Sequence, residues 1–214
     1  MQRLLLCLAL GLTACSRPDT AAAVPPTPLG EPPTIESTNT DPRAVAVLAG
    51  GCFWGMEDIL RKVPGVVDTE VGYTGGTTRR PGYDQVKTGT TGHAEAIKVV
   101  FDPTKVSYSD LLERWFFRMH DPTTQNRQGN DVGTQYRSAI FYVSPAQKKT
   151  AEAVISRIDA AGHWKRPIVT QVAAAGEFTP AERYHQDYLK KHPGGYTCHY
   201  LRTFQTPIGS GSSR

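Results

Sequence analysis

Gly50-Gly51-Cys52-Phe53-Trp54-Gly55 is the stretch on which the fold of this chain turns. Before it, Ala44 to Ala49 is a short, mostly unbroken apolar run, the pattern of a buried strand. After it, Met56, Ile59, Leu60 and Val63 recur at helical spacing, and Pro64-Gly65 ends the run, which predicts a helix from Cys52 to about Lys62. The cysteine therefore falls at a strand-to-helix junction. Backbone N–H groups and the positive end of the helix dipole favour an anion there, so the thiol is expected to ionise more easily than a free cysteine. Phe53 and Trp54 are placed to wall a small apolar pocket beside the sulfur. A junction of this kind suggests a nucleophile more than a core residue.

Outward from this junction the elements follow in turn. Val66 to Tyr73 alternates as a strand, Thr74 to Gly92 is rich in loop formers, and Glu95 to Phe101 is a strand closed by Asp102-Pro103. Ser107 and Asp110 form a capping box for a second helix with an apolar stripe of Leu111, Leu112, Trp115, Phe116 and Met119. Gln135 to Val143 is a strand, and Ser144-Pro145 opens a helix that closes at Gly162. Ile168 to Ala173 is a further strand. Thr179-Pro180-Ala181-Glu182 has the form of a second capping box and predicts a helix to Lys191. From His192 onward an extended coil is expected, loosened by Gly194-Gly195 just before Cys198. The order predicts an α+β protein with helices packed on a mixed sheet.

The first part of the 214-residue chain does not look globular. Arg3 precedes an apolar run, Leu4 to Leu12, that is too short to span a bilayer. Leu12-Thr13-Ala14-Cys15 resembles a bacterial lipobox, so residues 1–14 are expected to be a signal peptide and Cys15 a lipid attachment site. The alternative is an ordinary signal peptide cut nearby. Ser16, where an Asp is absent, favours an outer membrane in a host with two. Localisation is thus expected to be outside the cytoplasm, anchored to a membrane and facing periplasm or exterior. Residues 15–43 are rich in Pro, Ala and Thr and are expected to be a flexible tether. The remainder, a domain at 44–206 and a short tail at 207–214, is of single-domain size.

The formal net charge is +4, and loss of residues 1–14 lowers it only by Arg3. Arg79-Arg80 and Lys148-Lys149 are pairs rather than a stripe, so no nucleic-acid partner is expected. Beyond Cys7 and Cys15, two thiols remain, Cys52 and Cys198. Outside the cytoplasm such a pair is commonly a structural disulfide, and a pair that cycles between thiol and disulfide is the other possibility. With no HxxxH or CxxC pattern, neither a metal nor another bound cofactor is expected. Nothing in the pattern suggests a coiled coil, so a monomer is expected.

Three further groups have chemical potential. Glu95, in Gly92-His93-Ala94-Glu95-Ala96, begins a strand; in apolar surroundings its carboxyl would hold a proton near neutral pH and serve as a donor. As a surface residue it would do nothing of the kind. His93 invites a Cys–His dyad, although a structural histidine is the plainer expectation. Gln128 to Ser138 is dense in polar groups, as befits either a pocket lining or a self-bonded Ω-loop. Tyr83 and Tyr136 each offer a phenolic O–H. His120 and His185 stand isolated, and His192 and His199 flank Cys198.

Taken together, Gly51-Cys-Phe-Trp-Gly55, Gly72-Tyr-Thr-Gly-Gly76, Thr91-Gly-His-Ala-Glu95, His120-Asp-Pro122, the run from Arg127 to Ser138, and Gly195-Tyr-Thr-Cys-His199 resemble the A-type peptide methionine sulfoxide reductases. The resemblance spans about Val45 to Leu201. It implies a two-layer ferredoxin-like α/β plait and reduction of methionine-(S)-sulfoxide, free or in proteins, one enzyme serving each epimer. It implies Cys52 as nucleophile, Phe53 and Trp54 around the substrate methyl, Glu95 as proton donor, Tyr83 and Tyr136 on the sulfoxide oxygen, and Asp131 in support. Cys52 would become a sulfenic acid and Cys198 would close a disulfide with it, recycled by an external thioredoxin-like dithiol. Thr197 stands between Tyr196 and Cys198, where many relatives have none, so the register of the resolving cysteine is less secure. A rival is a cysteine hydrolase or acyltransferase built on Cys52, His93 and Glu95. A binding module with a structural Cys52–Cys198 disulfide is another.

Overall fold

The computed structural model describes residues 43–204. The signal segment, Cys15, nearly all of the tether and the tail at 207–214 lie outside the described residues.

A six-stranded mixed sheet forms the centre, in the order β7-β6-β1-β3-β2-β8. β1 (Ala44–Gly50) lies antiparallel to both β3 (Ala94–Phe101) and β6 (Ser138–Tyr142). β2 (Val66–Thr74) lies antiparallel to β3 and carries the two-residue β8 (Thr179–Pro180) on its other edge. β7 (Gln171–Ala174) runs parallel to β6, the orientation that the long crossover α5 (Pro145–Ala160) permits. β4 (Arg127–Gln128) and β5 (Asp131–Val132) form a separate small hairpin.

Strand alternation sorts the side chains onto two faces. On one, Ala46, Leu48, Val71, Tyr73, Ile97, Val99 and Ile140 pack in a cluster with Phe53, Met56 and Leu60 of α1 (Phe53–Leu60), with Val154 and Ile158 of α5, and with the helical stretch 108–119. That stretch is α3 (Tyr108–Asp110), a π-helical segment (Leu111–Phe116) and α4 (Phe117–Met119). On the other, Val47, Ala49, Ala94, Ala96, Ala139 and Phe141 form a thinner cluster with Ala173, Ala175 and Phe178. Glu95 falls between Ala94 and Ala96, so alternation turns its side chain to the face that bears α1. The architecture is α+β, as the pattern predicts.

Two helix starts behave as expected. The Ser107 hydroxyl accepts the Asp110 N–H at 3.0 Å, and the Ser144 hydroxyl accepts the Gln147 N–H at 3.2 Å. Such caps are each worth about 1 kcal/mol. α1 and β1 also lie within a residue or two of their predicted bounds. The third cap does not exist. Thr179–Pro180 is a strand on the edge of β2, and only α6 (Tyr188–Lys191) is helical in that region. Glu182 carries its carboxylate across the fold instead, accepting the Tyr83 N–H at 2.9 Å and the Tyr73 hydroxyl at 3.0 Å. It caps α2 (Tyr83–Val86), a short helix within the stretch expected to be loop. Gln135 likewise lies in a 3-10 turn, Thr134–Tyr136, rather than in the strand predicted from it.

Candidate active site

Gly51 makes the turn from β1 into α1 at φ +107°, a conformation open to glycine and little else. A Cβ there would also meet Gln128 Cγ at 2.5 Å. The turn leaves Cys52 as the residue that caps α1, with no cap bond from its side chain. The thiol is buried, 7% exposed, at the floor of a cavity of about 140 Å³. Phe53, Trp54, Tyr83, Glu95, Asp131, Tyr136 and Tyr196 complete its walls. Every catalytic and substrate-binding residue named from the sequence except Cys198 therefore lines one hollow.

Glu95 Oε2 accepts the Phe53 N–H at 3.1 Å. This bond ties the middle of β3 to the first turn of α1 and holds the carboxyl beside the thiol. Burial pushes the Glu95 carboxyl up to about 8; the Phe53 bond works the other way, and Asp131 adds a smaller upward push. A carboxyl held there is protonated at neutral pH, as an acid must be to donate.

The thiol departs from expectation. Burial first, and then the negative charge available at Glu95, push the Cys52 thiol far up, while the Trp54 N–H of the helix start only partly offsets them. The reduced resting site therefore keeps a proton on its sulfur. The helix start contributes as predicted, but desolvation of the anion outweighs it.

The aromatic wall is braced by residues that sequence reasoning did not connect to it. The Trp54 indole N–H donates to His185 Nδ1 at 3.0 Å, and its ring stacks on Tyr188 at 3.8 Å between centroids. The His185 ring also lies 5.1 Å from Phe53 and 4.6 Å from Tyr83. His185 is on a turn, not the predicted helix. Glu57 accepts the N–H of Asp187 at 2.8 Å, fixing that turn to α1. No local spacing signals these contacts, because each spans a hundred residues or more.

The loop expected to be either pocket lining or self-bonded is both. Asp131 and Tyr136 face the cavity, whereas within the run the Tyr136 N–H donates to the Gly133 carbonyl at 3.0 Å and the Arg137 guanidinium to the Thr134 carbonyl at 2.9 Å. His93 is not part of the site. Its Nε2 meets the Thr78 carbonyl at 2.8 Å, and it lines a separate hollow with Gly75 and Gly76. A Cys52–His93 dyad is thus not formed. His120 is a structural histidine, bonded to Phe116 O and Ser138 Oγ, each at 2.7 Å.

The C-terminal stretch is extended, as expected, but it is pinned rather than loose. Tyr196 donates its hydroxyl to Asp131 Oδ1 at 3.0 Å, His199 Nε2 meets the Gly50 carbonyl at 2.8 Å, and the Arg202 N–H donates to Arg118 O at 2.9 Å. These bonds carry Cys198 toward the start of α1, where the Cys52 N–H favours its thiolate. Both cysteines are free thiols. Burial, then the nearby Asp131 carboxyl, pushes the Cys198 thiol up to about 12. Among the described residues, no group of three or more His, Cys, Asp or Glu is placed to hold a metal ion.

An α+β fold that seats a buried thiol beside a protonated carboxyl, with a second thiol docked at the same helix start, defines a thiol-dependent oxidoreductase. Residues 44–208 match the family model for peptide methionine sulfoxide reductase. The chain is 56% identical to a peptide methionine sulfoxide reductase MsrA from Nocardia farcinica, over 76% of this chain and 92% of that one. It is 58% identical to one from Mesorhizobium japonicum, over 73% and 88%. Among solved structures, reduced Mxr1 of Saccharomyces cerevisiae superposes with a TM-score of 0.71 at 38% identity, covering 75% of this chain and 93% of that one. Mxr1 in complex with Trx2 superposes at 0.51 with 27% identity, covering 75% and 91%. The chain belongs to the peptide methionine sulfoxide reductases, A type, and is a peptide-methionine (S)-S-oxide reductase.

Proposed function

We propose that this enzyme works through a sulfenic acid on Cys52 and a Cys52–Cys198 disulfide. The observation that carries this reading is the Phe53–Glu95 hydrogen bond, which fixes a buried, neutral carboxylic acid in the same pocket as the thiol. A sulfoxide is a poor electrophile until its oxygen gains a proton or strong hydrogen bonds. Glu95 supplies the proton as the Cys52 sulfur attacks, and Tyr83 and Tyr136 hydrogen-bond the oxygen. Oxygen passes to Cys52, methionine leaves, and the thiol proton restores Glu95. The substrate sulfur gains two electrons and Cys52 loses two. Phe53 and Trp54 enclose the substrate methyl, and Asp131 supports the pocket wall.

Cys198 then attacks the sulfenic sulfur, giving a disulfide and water. A thioredoxin-like dithiol reopens the disulfide, a reading supported by the Trx2 complex of the yeast relative. The Leu12-Thr13-Ala14-Cys15 motif supports an enzyme held on a bacterial membrane by lipid on Cys15, repairing oxidised proteins outside the cytoplasm. Palmitate label that persists after Cys15→Ala refutes that anchor.

The test of the activity is incubation with the two separated methionine sulfoxide epimers and dithiothreitol. The S epimer is consumed and the R epimer remains. Consumption of R alone, or of neither, overturns the assignment.

A further inference from the structure

Disulfide closure requires Cys198 to surrender a proton from a thiol that burial and Asp131 hold well above neutrality. The residue after it is placed to take that proton. His199 Nδ1 lies 3.5 Å from Cys198 Sγ, and His199 Nε2 lies 2.8 Å from the Gly50 carbonyl oxygen. A carbonyl can only accept, so the ring proton sits on Nε2 and the Nδ1 lone pair faces the thiol. The ring is buried, 7% exposed, in a niche that Gly55 leaves open: a methyl there would come within 2.6 Å of Nδ1. A nucleophile on one ring nitrogen and an orienting acceptor on the other are the arrangement by which an imidazole activates a weak nucleophile.

We infer that His199 is the general base of the disulfide-closing step, its Nδ1 taking the Cys198 proton as that sulfur attacks the Cys52 sulfenic acid. This rests on the mechanism proposed above. The Cys198 sulfur bonds to the Cys52 sulfur, the S–O bond of the sulfenic acid breaks, and the departing hydroxide leaves as water with the proton relayed from His199. Cys198 is oxidised and Cys52 reduced, so no outside oxidant or reductant enters.

The groups that face the imidazole set its readiness. Burial holds it down to about 4, and Arg202 acts in the same direction, while the Gly50 carbonyl and the Asp131 carboxylate favour the imidazolium. His120, buried and held down to about 3, is the neighbouring neutral ring. His199 is therefore unprotonated at neutral pH. The imidazolium formed during the step has Asp131 and the Gly50 carbonyl to stabilise it.

The test mixes reduced enzyme with one equivalent of methionine-(S)-sulfoxide and no external reductant. Methionine release and disulfide formation are followed separately in quenched flow. His199→Gln keeps an N–H for Gly50 but cannot take a proton. In it, the ratio of disulfide rate to methionine rate falls on the order of 10²-fold, and the residual rate climbs roughly tenfold per pH unit where the wild type is level. In His199→Ala, added imidazole restores disulfide formation. A wild-type ratio in His199→Gln, a slowed step that keeps the level pH profile, or failure of imidazole to act on His199→Ala overturns the inference. Wild-type enzyme that releases no methionine instead overturns the sulfenic acid mechanism, and this step with it.

Discussion

The Trp54 indole N–H donates to His185 Nδ1 at 3.0 Å, so the aromatic wall of the cavity hangs on an imidazole lone pair. The bond survives only while Nδ1 is unprotonated. Burial lowers the His185 pKa, with Glu182 acting in the opposite direction, so the bond persists as pH falls below the ordinary histidine value. Removing the acceptor in His185→Leu releases the indole. The expected result is a several-fold rise in KM for methionine sulfoxide, on the order of 1 kcal/mol, with a smaller change in kcat and a shift in tryptophan emission. Unchanged KM and emission would place the ring's orientation in the Tyr188 stack alone.

Glu95→Gln preserves an acceptor for the Phe53 N–H but has no proton to give. Methionine release is expected to slow by roughly 10²- to 10⁴-fold with the fold intact. Since the Glu95 carboxyl is pushed up to about 8, the wild-type rate should decline above that pH as the acid ionises, and the variant should show no such decline. Stopped-flow rates of the first turnover across pH decide the point.

Stability should also fall as pH rises through neutrality. Glu95 and Glu57 are raised from 4.5 to about 8 and about 7, so the folded chain keeps protons that the unfolded chain has lost. Their contribution is complete below 4.5 and declines as pH climbs to the folded values, at up to about 1.4 kcal/mol per pH unit for each. His120 and His199 act oppositely. Lowered from 6.5 to about 3 and about 4, they contribute fully above 6.5 and lose stability as pH falls. The two effects oppose one another between 4.5 and 6.5, and from 6.5 to about 8 the carboxyls dominate. Urea midpoints for the wild type should therefore drop between about pH 6.5 and 8, and Glu95→Gln should drop less. Parallel curves would show that burial of Glu95 is not what sets the slope.

Gly55→Ala tests the docking of the C-terminal stretch. A Cβ at this position would lie 2.2 Å from Thr197 Oγ1 and 2.6 Å from His199 Nδ1, while α1 itself gains a better helix former. The variant should fold with near-normal thermal stability yet close the Cys52–Cys198 disulfide at least several-fold more slowly. Free-thiol counts after a single turnover give the answer, and a wild-type rate would mean that the stretch moves before closure.

Much of this enzyme could be read along the chain. The strand–Gly–Cys–helix junction, the Ser107 and Ser144 caps and the alternation that turns Glu95 inward are local, set by periodicity and by what each residue can do within a few neighbours. So were the pocket residues named through motif resemblance, because those motifs keep order and spacing. Tertiary structure decided the rest. Thr179 to Glu182 has the local form of a helix start, but β2 offered Thr179 and Pro180 a strand edge, and the Tyr83 N–H offered the Glu182 carboxylate a distant partner. Cys52 sits at a helix start that favours an anion, but only the packed surroundings reveal that burial and Glu95 overrule it. His185 looked isolated and His199 only a neighbour of Cys198, because their partners, Trp54 and Gly50, lie 131 and 149 residues away. Periodicity and capping act over a few residues, whereas the burial and charge that govern a proton are fixed by whatever the folded chain brings alongside.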